Sequence, residues 1–175
     1  MKTDIHLRAM EPEDIDLIYS WENNPDVWVH SSSHQPFSRN ALQRFIEEND
    51  GADIYASQQL RLMADVEEIG NKPTTVGCID LFDFEPYHRH AAIGMLVDSR
   101  YRHKGYGEAM LKQLEEFAAR HLNIHLLYCD IAASNIACLA LYKKNGYREV
   151  GVRKEWIWNG NSWEDAVTVE KVIEN

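Results

Sequence analysis

The chain has 175 residues, of which 45% are hydrophobic and 26% charged, the balance of a soluble globular protein rather than of a disordered segment. Its formal net charge of -10 lacks the basic footprint that nonspecific nucleic-acid or anionic-membrane binding requires. Most of that charge reads as solvated surface, and it suits a cationic partner.

The length fits one domain, 1–175, and no repeat or low-complexity linker divides it. Three cysteines, Cys78, Cys129 and Cys138, lie in apolar contexts without a CxxC. They read as core residues in a reducing compartment rather than as a disulfide framework or zinc knuckle. The opening MKTDIHLRAM has no apolar segment of the kind a signal peptide carries, and no run approaches ~20 apolar residues. The expectation is a cytoplasmic protein that neither spans a membrane nor binds nucleic acid.

In chain order, IHLRA at 5–9 alternates as a strand. Pro12 suits a first helical position, Ile15, Ile18 and Tyr19 form one apolar face, and Asn23-Asn24-Pro25 stops the helix. DVWVHSSSHQPF reads as loop. Ser38 is placed to cap a second helix with an apolar stripe of Ala41, Leu42, Phe45 and Ile46, closed by Asn49-Asp50-Gly51. Leu60, Leu62 and Ala64 alternate as a strand, and IGNKP is a turn. TTVGCIDLF and AAIGMLVD (91–98) are strand-like, joined by the polar DFEPYHRH.

EAMLKQLEEFAARHL places Met110, Leu111, Leu114, Phe117 and Ala118 on one helical face. HLLYCDIA reads as a buried strand. SNIACLALYKKNGY has both helix ends marked: Ser134 or Asn135 as cap, Lys143 and Lys144 in the last turn, Gly146 at the left-handed position and Tyr147 after it. REVGVRKEWIW and SWEDAVTVEKVI are strands joined at Asn159-Gly160. The pattern predicts a mixed α/β (α+β) fold with seven strands and helices on both faces of the sheet.

The stretch YRHKGYG at 101–107 lies between a strand and a helix, where a glycine-rich turn can hold phosphate on free helix-terminal N–H groups. It is not a dinucleotide fingerprint, because after Gly105-Tyr106-Gly107 the third small residue, Ala109, comes one place early. No Gly-Lys-Ser/Thr of a P-loop occurs. Arg102-His103-Lys104-Gly105-Tyr106-Gly107 matches [RQ]-x-x-G-x-[GA]. The strand IGMLVDSRYR precedes it and an Asn135…Tyr142…Gly146-Tyr147 element follows. In this combination the sequence resembles the GNAT superfamily of acetyl-CoA-dependent N-acetyltransferases.

That resemblance covers roughly residues 5–172. It implies a single GNAT domain with a mixed, mostly antiparallel sheet, using acetyl-CoA or coenzyme A as co-substrate and no metal. It implies direct attack by a primary amine on the thioester. The strand before the loop splays from its neighbour, and the backbone of Met95, Leu96 and Val97 would bind the pantetheine arm and supply an oxyanion donor. Arg102, His103, Lys104, Gly105, Tyr106, Gly107 and Glu108 would hold the pyrophosphate. Tyr142 would be the general acid toward the leaving thiolate, or a tyrosine packed under the last helix. Asn135 would bind the cofactor arm or cap its helix. Some relatives carry a Glu base where this chain has Ala92. His88, His90, Asp83, Glu85 and Glu155 are substitutes by location, or solvated loop and edge residues. His88 and His90 form an H-x-H pair without further ligands at metal spacing, so the sequence gives no metal site.

The acceptor site of the superfamily is built by the first two helices and the last hairpin. Here those segments carry Trp21, Trp28, Trp156, Trp158 and Trp163 with Glu22, Asp26 and Glu155 nearby, suited to a cationic amine, although at least half of the tryptophans read as core anchors. The N-terminal segment resembles the group with ribosomal-protein N-terminal and spermidine/spermine acetyltransferases. The acceptor is then a protein or peptide N-terminus, or a small amine such as a polyamine. A non-catalytic CoA-binding module is the competing reading, and a generic nucleotide binder is weakened by the failed fingerprints. The family resemblance also admits a homodimer.

Overall fold

Strand β2 (Leu60–Val66) buries Leu62, Met63 and Ala64 in succession. Successive strand residues point to opposite faces, so three in a row can be buried only where both faces of the sheet are covered. Leu62 and Ala64 join the larger core; Met63 joins a second core with Ile18, Trp21, Leu42, Ile46 and Cys78. The computed structural model describes residues 5–29, 31, 34–67 and 73–173.

One seven-stranded sheet runs in the order β1-β2-β3-β4-β5-β7-β6. Its strands are β1 (Ile5–Ala9), β2, β3 (Thr74–Glu85), β4 (His90–Val97), β5 (Leu126–Ala132), β6 (Arg148–Trp158) and β7 (Trp163–Val172). Among the described residues only β4 and β5 pair in parallel; the other five pairings are antiparallel. Helices α1 (Ile15–Glu22) and α3 (Arg39–Asn49) cover one face. Helix α5 (Tyr106–Leu122) covers the other, with Met110, Leu111, Leu114 and Ala118 fully buried, and α6 (Ile136–Lys144) adds Tyr142 to the same core. The mixed, mostly antiparallel sheet between two helical layers is the architecture the sequence predicted.

The helix-end signals do their expected jobs. Ser38 Oγ accepts from the Ala41 amide at 3.1 Å. Gly146 follows α6 with φ +88, and the Tyr147 amide bonds back to Tyr142 O at 3.1 Å, a left-handed C-terminal cap with buried Tyr147 as its apolar anchor.

Other local features differ from the sequence reading. Part of the 26–37 loop is helical, because Asn24 caps a single turn, α2 (Pro25–Trp28), by accepting from the Asp26 amide. Another turn, α4 (Ile54–Ser57), is capped by Asp53. Pro12–Asp14 is a tight turn leading into α1. Strand β3 continues through Asp83 and Phe84 to Glu85, so the polar β3–β4 connection shrinks to 86–89. The last hairpin closes with residues 159–162 rather than a two-residue turn, since Asn159 Oδ1 accepts from the Asn161 and Ser162 amides. The turn expected at 69–73 lies, apart from Pro73, outside the described residues.

Candidate active site

The parallel pairing of β4 with β5 lasts only three residue pairs, His90, Ala91 and Ala92 against Leu126, Leu127 and Tyr128. Beyond Ala92 the strands part, while β4 stays paired with β3 as far as Val97. The β5-facing edge of 93–97 is thereby left open. The Asp98 amide bonds to Val76 O on β3 at 2.9 Å, and the Leu96 carbonyl crowds Gly77 so closely that an added Cβ there would meet it at 2.2 Å. Antiparallel strands alternate the direction of their backbone groups. Leu96 therefore faces β3, and Ile93, Met95 and Val97 turn their N–H and C=O groups into the gap. The Val97 carbonyl already accepts from Arg102 Nε at 3.1 Å.

At the open end of the gap lies the glycine turn. His103 (φ +62) and Gly105 (φ +83) both adopt left-handed backbone, and Gly105 caps α5. Among the described residues the amides of 103–108 bond to no acceptor, and Ala109 is the first to bond back, to Gly105 O at 3.1 Å. This is a row of free donors at the positive end of a 17-residue helix. Gly107 lets α5 approach the strand: an added Cβ would lie 3.3 Å from Leu141 Cδ2 and 3.4 Å from Met95 Sδ. Glu108 binds Lys112 Nζ at 2.6 Å and Lys144 Nζ at 2.5 Å, and these cations hold its carboxyl at about 2. The turn and the gap together could hold an anionic head with a long neutral arm.

Tyr142 is 1% exposed, its ring edge-on to Tyr147 at 4.8 Å, with Cys129 and Cys138 as neighbours. Burial first, then these neighbours, raises its pKa well above the usual phenol value, so it is a neutral hydrogen-bond donor. Asn135 caps α6, Oδ1 accepting from the Cys138 amide at 3.2 Å. Burial pushes the thiols up to about 12 for Cys78 and Cys129 and about 11 for Cys138, so none is an activated nucleophile. Cys78 is buried as expected; Cys129 and Cys138 are half-buried.

On the α1/α3 side, Trp21 Nε1 donates to Asp98 Oδ2 at 2.9 Å. A cavity of about 330 Å³ beside this contact is lined by Trp21, Asn24, Val27, Leu96, Asp98 and Arg102. Nearer the strand parting, Arg61 binds Asp80 at 2.7 Å and Glu22 at 2.7 Å. Around Ala92 lie Phe82, its partner on β3, and Tyr128, its partner on β5. His90 stands edge-on to Tyr128 at 6.0 Å, with Nδ1 buried and bonded to nothing among the described residues.

The aromatic expectation needs correction. Of the five tryptophans only Trp21 is a core anchor. Trp28 is half-buried, and Trp156, Trp158 and Trp163 are 59%, 50% and 58% exposed on the β6–β7 hairpin. The sequence reading also missed Asp98, buried and charged at the end of β4. Its one visible signal was a carboxylate directly after an apolar strand. Among the described residues, no His, Cys, Asp and Glu side chains gather in threes to form a metal site.

Residues 4–148 match the family model of the acetyltransferase (GNAT) domain. The chain belongs to the GNAT acetyltransferase family. It is an acetyl-CoA-dependent N-acetyltransferase. This GNAT enzyme is 23% identical to the spermidine N(1)-acetyltransferase of Vibrio cholerae, over 91% of its own length and 88% of the relative's. It is 33% identical to the Escherichia coli ribosomal protein bS18 alanine N-acetyltransferase over 41% of its own chain and 47% of that one. The crystal structure of V. cholerae spermidine N-acetyltransferase in complex with CoA and spermine superposes with a TM-score of 0.84, at 19% identity, covering 97% of this chain and 95% of that one. The same fold therefore carries both chains.

Proposed function

We propose that this enzyme acetylates a small polycationic amine of the polyamine class, with all 175 residues serving as one transferase domain in the cytoplasm. The observation that carries the reading is where the parting of β4 and β5 falls. The gap opens on one side toward the free amides of 103–108 and meets, on the other, a face lined by Glu22, Asp80, Asp83 and Asp130. An acidic face suits a cationic acceptor, and the overall charge of -10 favours its approach. The whole-chain likeness to a spermidine acetyltransferase supports the same class, whereas the likeness to the bS18 alanine enzyme spans 41% of this chain.

In this reading the amides of 103–108 hold the pyrophosphate, with Arg102 and Lys104 adding charge. The gap-facing backbone of Met95 and Val97 takes the pantetheine arm, as strand-like hydrogen bonds. A backbone N–H of the same strand meets the developing oxyanion. Leu96 contributes its side chain on the α1/α3 face. Asn135 keeps its helix start fixed beside the arm. Tyr142 donates a hydrogen bond to the departing sulfur; its raised pKa makes hydrogen bonding, rather than full proton transfer, its contribution.

The free edge of β6 exposes Val150, Val152 and Trp156, and we propose self-association through it; a dodecameric form of the V. cholerae enzyme shares the fold, with a TM-score of 0.79. The test of acceptor class is a transfer assay with acetyl-CoA over spermidine, spermine, amino acids and N-terminal peptides. Turnover on polyamines at least about tenfold above peptides is expected; the reverse order overturns the polyamine reading.

A further inference from the structure

Ala92 brings no carboxylate to the point where β4 and β5 part, but the neighbouring strand carries one close by. Opposite the single β4 residue Ala91, β3 places two residues, Asp83 and Phe84, because the pairing passes from Phe82↔Ala92 directly to Glu85↔His90. This is a bulge, and such irregularities re-aim side chains, often beside active sites. Asp83 takes the left-handed conformation, φ +49, while Phe84 turns into the α5-side core at 2% exposure. The Asp83 carboxylate stays on the solvent side and acts electrostatically on the Tyr128 hydroxyl, whose pKa rises through burial first and then through Asp83 and Asp130. Tyr128 is the β5 partner of Ala92, so the small Ala92 side chain lies between the two.

Three aspartates approach this point. Asp80 is held by Nε and Nη2 of Arg61, and Asp130 by Arg153 and Thr168. The Asp83 carboxylate makes no hydrogen bond or ion pair among the described residues. Tyr128 on β5, on which Asp83 acts, is also influenced by Asp130 from β5 and Arg153 from β6 and is contacted by the His90 ring from β4. We propose that the bulge in β3 delivers Asp83 over Ala92 as the carboxylate that accepts the proton of the acceptor ammonium.

The step balances as follows. The ammonium gives one proton to Asp83 and onward to solvent. The freed nitrogen pair forms the C–N bond to the acetyl carbon, the C–S bond breaks with its pair on sulfur, and the second nitrogen proton ends on that sulfur as the thiol.

This assignment rests on the amine-acetyltransferase reading, and the experiment separates the two. The wild-type chain is first assayed with acetyl-CoA and spermidine, spermine, amino acids and N-terminal peptides. No turnover on any amine overturns the transferase reading and the Asp83 assignment with it. With turnover established, Asp83→Asn is expected to lower kcat about 100-fold with KM within about threefold, while calorimetry gives acetyl-CoA affinity within about twofold of wild type. Adding Ala92→Glu to Asp83→Asn, which returns a carboxylate from β4, is expected to recover at least about tenfold in kcat. The proposal is overturned by an undiminished kcat in Asp83→Asn, by a change in KM alone, by acetyl-CoA affinity falling in step with kcat, or by the loss appearing in His90→Gln instead.

Discussion

The indole N–H of Trp21 on α1 donates to the buried Asp98 carboxylate at the end of β4, 2.9 Å away. Arg100 closes the other side of that carboxylate through Nε at 2.9 Å and Nη2 at 2.8 Å. A helix of the α1/α3 layer is thus tied to the segment that leads into the glycine turn. Trp21→Phe keeps most of the packing and removes the donor, and is expected to cost about 2 kcal/mol in urea unfolding. Acetyl-CoA affinity should fall as well, because the turn loses its tether.

The same carboxylate sets a pH dependence. The Arg100 guanidinium, with smaller help from Trp21, holds Asp98 below the usual carboxylate range. A depressed native pKa contributes stability that is fully present above the unfolded value, about 3.9, and is lost as pH falls toward the native value. Asp98→Asn should therefore be less stable than wild type near pH 7, and the difference should shrink below about pH 4. Unfolding curves at pH 3 and pH 7 check this; a gap that widens at low pH would contradict it.

Gly105 carries φ +83 at the head of α5, where a β-branched side chain pays about 1–2 kcal/mol for left-handed backbone. Gly105→Val is expected to fold with reduced stability and to bind acetyl-CoA at least about tenfold more weakly, because the Cβ stands among the free amides. Calorimetry on the folded variant reads the second effect separately from the first.

Tyr142→Phe conserves the buried ring and its edge-on contact with Tyr147. Turnover should fall about 10- to 100-fold with little change in acetyl-CoA affinity. Unchanged kcat under chemistry-limited conditions would leave Tyr142 a packing residue.

The thiols give an independent check on direct attack. With Cys78 and Cys129 pushed up to about 12 and Cys138 to about 11, few thiolates exist at neutral pH. The native protein should react slowly with a disulfide reagent and the unfolded chain rapidly. Cys138→Ala should retain acetyl transfer. Rapid single-site modification that abolishes activity would point to a covalent acyl-enzyme instead.

Long-period patterns were legible in the sequence and short irregular ones were not. The α5 stripe of Met110, Leu111 and Leu114 repeats often enough to declare a helix and its buried side. Gly146-Tyr147 and Ser38 mark helix ends with local chemistry that tertiary contacts did not override. The turns at Pro25–Trp28 and Ile54–Ser57 are too short for periodicity, and only their Asn24 and Asp53 caps betray them. Within the candidate site, the glycine turn announced itself because glycine is needed there. The Asp83 bulge did not, since it arises from how β3 meets β4 and not from any local preference of DFE. The tryptophans misled for a related reason. Side-chain size argues for burial, but β6 is the sheet's edge strand and nearly all exposed, and Trp156, Trp158 and Trp163 stand in solvent on its hairpin.

The three-pair junction between β4 and β5 also divides the sheet mechanically. On one side is β1–β4, each strand paired to the next in sequence; on the other is β5 with the β6–β7 hairpin. The short ladder and the α5 and α6 packing beneath it are what join the halves. In the proposed site donor and acceptor would meet at this seam, and a donor arm bonded along β4 would act as a removable strand that sutures it. Amide exchange should slow on both banks of the gap when acetyl-CoA is bound, and the melting temperature should climb with its concentration.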